Sequence, residues 1–73
     1  MPIIDIKATG RNIVRLRNHA GITIRQMQDI LGLGTPQAIY KWQRGDALPT
    51  IDNMVVLADM FNVKIDDIII ITQ

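Results

Sequence analysis

The chain has 73 residues, 48% of them hydrophobic, with no cysteine, one histidine and a net charge of +1. That length makes one domain, 1–73, which buries only about 60% of its unfolded surface. Lack of cysteine excludes disulfides and, with a single histidine, the usual zinc ligand sets, so the core must be aliphatic; the 14 isoleucines supply it.

Glycine and proline divide the chain into short units, at Gly10, Gly21, Gly32, Gly34, Gly45 and Pro49. Residues 1–8 read as a short apolar arm, 9–69 as the domain core and 70–73 as a tail. The first helix is predicted from about Thr9, as N-cap, to Ala20. Ile13, Leu16 and Ala20 share one face, Arg11, Arg15 and Asn18 fall largely on the other, and Gly21 stops it. The second begins at Thr23, where Thr23 and Gln26 form a T-x-x-Q capping box. Ile24, Met27, Ile30 and Leu31 give its apolar stripe, and Gly32 ends it.

The third helix is predicted to open at Thr35-Pro36, a hydroxyl N-cap followed by proline at the first helical position. Ala38, Ile39 and Trp42 face inward; Gln37, Tyr40, Lys41 and Arg44 project away; Gly45 stops it. The fourth opens at Thr50, buries Ile51, Met54, Val55, Ala58 and Phe61, and ends with Asn62 in the left-handed region. A short fifth starts near Ile65, with Asp66 and Asp67 in the first turn, where the helix dipole favours anions. Ile3-Ile4-Asp5-Ile6 and Ile68 to Ile71 are rich in β-branched residues. They pair with each other, pair with a second chain, or pack on the core as helix and coil.

Charge is divided unevenly. Residues 1–45 carry seven cations (Lys7, Arg11, Arg15, Arg17, Arg25, Lys41, Arg44) against Asp5 and Asp29, a net +5. Residues 46–73 carry Lys64 against five aspartates (46, 52, 59, 66, 67), a net −4. A polyanion is drawn to the first part and repelled by the second.

Two short helices joined by a tight glycine-containing turn, Thr23–Leu31 and Thr35–Arg44, have the spacing of a helix-turn-helix. Five stretches carry a wider resemblance: Gly10-Arg11-Asn12-Ile13-Val14-Arg15-Leu16-Arg17, Ala20-Gly21-Ile22-Thr23, Leu31-Gly32-Leu33, Gln37 through Gly45, and Leu48-Pro49-Thr50 through Ile68. In that order residues 9–69 resemble the lambda-repressor/Cro-like, or XRE-type, DNA-binding domain. The resemblance implies an all-α fold of five helices, with the third as recognition helix in the major groove. Carried over by position, Gln37 and Lys41 are candidates for base contacts, and Tyr40 for a thymine methyl or a phosphate. Glutamine pairs bidentately with adenine and lysine donates to guanine. Thr35 and Thr23 at helix starts, with Arg25, Arg44, Arg11 and Arg15, are candidates for the DNA backbone.

Bland alternatives stand beside these assignments. Gln37 and Lys41 fit a solvated surface, Tyr40 a lid on the core, Arg44 a brace for the loop that follows. Trp42 is expected in the core and His19 on the surface. In the family, the residue matching Arg17 pairs with a carboxylate late in the third helix; here Gln43 stands there, leaving a hydrogen bond to Gln43 or a redirected pair with Asp46. The sequence departs from the family at the turn 32–35, one residue longer than the common form, and at Gln28, where small residues are usual. Asp46 stands where many relatives carry a base, and a carboxylate there should weaken phosphate affinity.

The function implied is sequence-specific binding of double-stranded DNA by a transcriptional regulator, a repressor, acting as a homodimer through the Ile-rich C-terminal segment. The alternative is a protein-interaction module or antitoxin-type partner that keeps the fold. Nothing supports an enzyme: glutamate and cysteine are absent, no glycine loop is built for phosphate, and Gly32-Leu33-Gly34 reads as a turn. No cofactor, metal or small-molecule substrate is expected. No aliphatic run, Ile68 to Ile71 included, approaches the roughly 20 residues a membrane span needs. The N-terminus lacks the pattern of a signal peptide, so the expected location is the cytoplasm.

Overall fold

A computed structural model describes residues 2–72. Its elements are β1 (Ile3–Ile4), α1 (Ile6–Ala20), α2 (Ile24–Leu31), α3 (Gln37–Arg44), α4 (Ile51–Phe61), α5 (Ile65–Ile68) and β2 (Ile71–Thr72). The five helices are those expected. They enclose one core, Ile13, Leu16, Met27, Ile39, Trp42, Met54, Leu57, Phe61 and Ile68, to which every helix contributes.

Local chemistry sets most boundaries. Thr23 and Gln26 close the expected capping box: the Thr23 hydroxyl accepts from the Gln26 amide at 3.0 Å, and the Gln26 side chain accepts from the Thr23 amide at 2.8 Å. Thr50 caps α4, accepting from the Asn53 amide at 3.4 Å. Asn62 ends α4 at φ 56°, where a short polar residue tolerates the left-handed region.

Three helix assignments need correction. The first helix starts at Ile6, and its N-cap is Asp5, whose carboxylate accepts from the Ala8 amide at 2.9 Å. Thr9 is therefore inside the helix and fully buried; its hydroxyl accepts a hydrogen bond from the Ile70 amide at 2.9 Å. The third helix starts at Gln37 with Pro36 at the N-cap, one residue later than expected. Thr35 precedes the cap and makes only a 3.5 Å contact with the Gln37 amide. In α4, Met54 and Phe61 are buried as expected and Ala58 partly, but Ile51 and Val55 are 66% and 57% exposed, and Leu57 takes their place in the core.

The β-branched ends pair with each other. β1 and β2 run antiparallel, Ile3 opposite Thr72 and Ile4 opposite Ile71. The Asp5 amide extends the pairing to the Ile70 carbonyl at 2.8 Å. Buried polar groups fasten this segment to α1. The Asn12 amide donates to the carbonyls of Asp67 at 2.8 Å and Ile68 at 2.9 Å, so the end of α5 is not left with orphan acceptors.

Candidate nucleic-acid interface

α3 is held from behind. Ile39 and Trp42 fill the core, fixing which face looks outward. Gly10 of α1 lies against the carbonyl oxygens of Trp42 and Gln43; a Cβ there would collide with the first and sit 2.8 Å from the second. Thus Gly10 lets α1 touch the end of α3, rather than acting as a break between units. Arg17 adds a second tie: its Nε donates to the Gln43 side-chain oxygen at 3.3 Å and its Nη1 to the Ile22 carbonyl at 2.9 Å. Of the two partners open to Arg17, Gln43 is the one it takes.

α2 is joined to α3 by residues 32–36. Gln28 belongs to this turn: its amide donates to the Leu33 carbonyl at 3.3 Å, while the Leu33 amide returns to the Gln28 carbonyl at 3.0 Å. The Gln28 side chain thus folds onto the turn.

The outward face of α3 carries Gln37, Tyr40, Lys41 and Arg44, all exposed. Gln37 opposes the buried stripe, Lys41 follows one turn later and Tyr40 flanks them, so the four make a continuous strip along the helix. Thr35 is exposed just before the N-terminus, and Thr23 and Arg25 are exposed at the start of α2. The Thr23 hydroxyl is already used as a cap. Arg25 makes only a long exposed contact with Asp29, 3.9 Å, which contributes little and leaves the cation available.

The remaining basic candidates differ in freedom. Arg11 is exposed on α1. Arg15 is exposed too, but its guanidinium donates twice to the Asn12 side-chain oxygen, at 3.0 and 2.8 Å. The same Asn12 holds the end of α5. Arg44 donates from Nε to Asp46 Oδ2 at 2.8 Å. That hydrogen bond, with the charges of Arg44, Lys7 and Lys41, holds the Asp46 carboxyl below the usual aspartate range. His19 is exposed and Trp42 is buried, as expected.

Sequence spacing did not point to Lys7. It enters because Gly45, at φ 78°, turns the chain back against the first turn of α1: a Cβ on Gly45 would lie 2.7 Å from Lys7 Cα and 2.8 Å from its Cγ. No local pattern links residues 7 and 45, so this cation was out of reach of periodicity.

Two short helices locked at a turn, the second buried on one face and offering glutamine, tyrosine, lysine and arginine on the other, define a helix-turn-helix DNA-binding domain. The family model described as Helix-turn-helix, HTH_3, matches residues 13–68, and the chain belongs to that XRE-type, lambda repressor-like family. Solved structures agree with the fold. The restriction-modification controller protein C.AhdI from Aeromonas hydrophila superposes with a TM-score of 0.76 at 19% identity, over 88% of this chain and 96% of that one. The clp gene regulator ClgR from C. glutamicum gives 0.72 at 16% identity, over 85% and 79% of the two chains. The DNA-binding domain of BldD gives 0.72 at 18%, over 89% and 93%. No curated protein matches the chain by sequence. No helix among the described residues is long and apolar enough to cross a membrane.

Proposed function

We propose that this protein binds double-stranded DNA in a sequence-specific way and represses transcription in the cytoplasm by occupying its site. The observation that carries the reading is the exposed strip of α3. A major groove about 12 Å wide accepts one helix, and the residues near its N-terminus meet the base edges. Gln37 and Lys41 read bases there, with Tyr40 beside them. Thr35, Thr23, Arg25 and Arg44 take the flanking phosphates, with Arg11 and Arg15 further out. Arg15 is the least free of these, being held by Asn12.

One recognition helix reads half a site, so the working unit is a homodimer. The self-association surface is the Ile-rich end of the molecule, where Ile3, Ile4 and Ile71 are exposed on the paired strands and Ile70 just before β2. An exposed apolar surface of that kind is otherwise an aggregation liability. Dimeric helix-turn-helix proteins place their half-sites about 34–36 Å apart or multiples of it.

Selection of bound sequences from a random duplex library tests this. The expected result is a pseudo-palindrome, with affinity falling steeply as salt rises. No enrichment, and no binding to any duplex at low salt, would overturn it. One observation favours a second reading, a protein-interaction module or antitoxin-type partner: Asp46 already occupies Arg44. Co-purification with a protein partner, and no affinity for DNA, would select that reading.

A further inference from the structure

The end of α3 presents more cation than its helix alone supplies. Lys41 and Arg44 are exposed one turn apart. Gly45 brings the first turn of α1 against the same place, so that exposed Lys7 joins them. In the middle stands the exposed carboxylate of Asp46, 2.8 Å from Arg44 Nε. Lys7 and Lys41 both act on that carboxylate as well as Arg44. Arg44 thus contacts the carboxylate directly, with the positive charges of Lys7 and Lys41 nearby, in a place open to solvent.

A guanidinium presents a planar fork of donors that suits a carboxylate and a phosphate alike. The two ligands compete for the same donors. A carboxylate also repels a phosphate approaching its neighbours, an effect that reaches about 8–10 Å at ordinary salt. Asp46 bonds the side chain of Arg44 and not that of Gln37 or Lys41, so the base-reading side chains stay free, and a phosphate contact carries no sequence information.

We propose that Asp46 is a built-in competitor for DNA phosphate, occupying Arg44 within the Lys7–Lys41–Arg44 cluster and thereby setting how tightly the domain holds DNA of any sequence. The inference rests on the DNA-binding reading above. It assigns Lys7 to the DNA backbone and makes Asp46 a residue that tunes affinity without altering sequence preference.

The test compares the full chain with Asp46→Asn, Lys7→Ala and the double change Arg44→Ala/Asp46→Asn. Each is titrated against a random-sequence duplex and a selected duplex over a range of salt. Asp46→Asn should raise affinity for both duplexes by about tenfold and steepen the dependence of log K on log salt by about 0.9, one further phosphate contact. The order of preferred sequences should not change. The gain should shrink when Arg44 is also removed, and Lys7→Ala should weaken binding to both duplexes alike. The three residues changed are exposed, and matched circular dichroism melts check that each variant folds.

Wild type that binds with a salt slope unaltered by Asp46→Asn would overturn this proposal alone. Weaker binding by Asp46→Asn would also overturn it, showing that the carboxylate steadies Arg44 for its phosphate. If no variant binds any duplex at low salt, the DNA reading falls and this proposal with it.

Discussion

Gly10 and Trp42 meet backbone to backbone: the α carbon of Gly10 faces the Trp42 carbonyl oxygen so closely that there is no room for a methyl group. The obstacle is main chain, so no rotamer change relieves it. Gly10→Ala must push α1 off the end of α3. Overpacking of this kind costs about 1–3 kcal/mol, against which the better helix propensity of alanine returns at most about 1 kcal/mol. We expect a net loss of roughly 1 kcal/mol and a melting temperature lower by about 4–8 °C. Gly34→Ala is the control: nothing lies within 4 Å of its added Cβ, so stability should stay within about 0.5 kcal/mol of wild type. Chemical denaturation of the two variants checks the contrast.

The Thr9 hydroxyl and the Asn12 amide tie α1 to the C-terminal segment. Thr9→Val removes the acceptor for the Ile70 amide and should cost about 1–2 kcal/mol. The loss should be local. Amide exchange should quicken at Ile70 and along β2, while Ile13 and Leu57 in the core keep their protection. Uniformly faster exchange would show that the segment unfolds only with the whole domain.

These two residues also show how much was legible beforehand. The capping box at Thr23, the hydroxyl cap at Thr50 and the stops at Gly21, Gly32, Gly45 and Asn62 act within one helical turn, and such signals survive in sequence. The inward Ile39 and Trp42 and the outward Gln37, Tyr40, Lys41 and Arg44 followed from the helical period alone. Thr9 misled because its hydroxyl is spent on a residue 61 positions away, while Asp5, read as part of an apolar arm, does the capping. Gly10 read as punctuation because its true neighbour, Trp42, belongs to another helix. α4 misled for a different reason. It is apolar nearly all round, so a stripe through residues 51 and 55 and one through residues 54, 57 and 61 are both acceptable. Only packing chooses between them. Lys7 is tertiary in the same sense, brought to Gly45 by the fold, whereas Lys41, Arg44 and Asp46 lie within six residues of one another.

Asp46 should titrate below the ordinary aspartate range: the hydrogen bond from Arg44 is the first cause, partly opposed by desolvation and reinforced by the charges of Arg44, Lys7 and Lys41. A depressed carboxyl favours the folded state above its unfolded pKa, and that contribution is lost as pH falls through the depressed value. The pair is therefore intact above that depressed value and opens as pH falls through it. Carbon-detected NMR titration of Asp46 should show this, and Arg44→Ala should move the midpoint back up. A midpoint unmoved by that change would mean that the pair does not persist in solution.

Self-association through the Ile-rich end is testable at Ile71, which is 54% exposed on β2 opposite Ile4. Ile71→Asp places a charge on the apolar surface with little effect on the monomer. Sedimentation should show the dimer constant weakened by at least about tenfold, since a buried unpaired charge costs well over 1.4 kcal/mol. Ile51→Asp, on α4, offers the comparison. If that change alone separates the subunits, the exposed face of α4 is the seam.

The central assertion is that the outer surface of α3 enters a duplex groove. Titrating the labelled protein with its selected duplex, and following backbone and side-chain amide signals by NMR, tests it most directly. The account predicts the largest shifts at Gln37, Tyr40, Lys41 and Arg44, with smaller ones at Thr23, Arg25 and Thr35. Lys41→Ala should relax preference at one base position by about 1–3 kcal/mol, whereas Arg25→Ala weakens every sequence alike. Shifts confined to β1, β2 and α4, with the Gln37 and Lys41 signals unmoved, would contradict it.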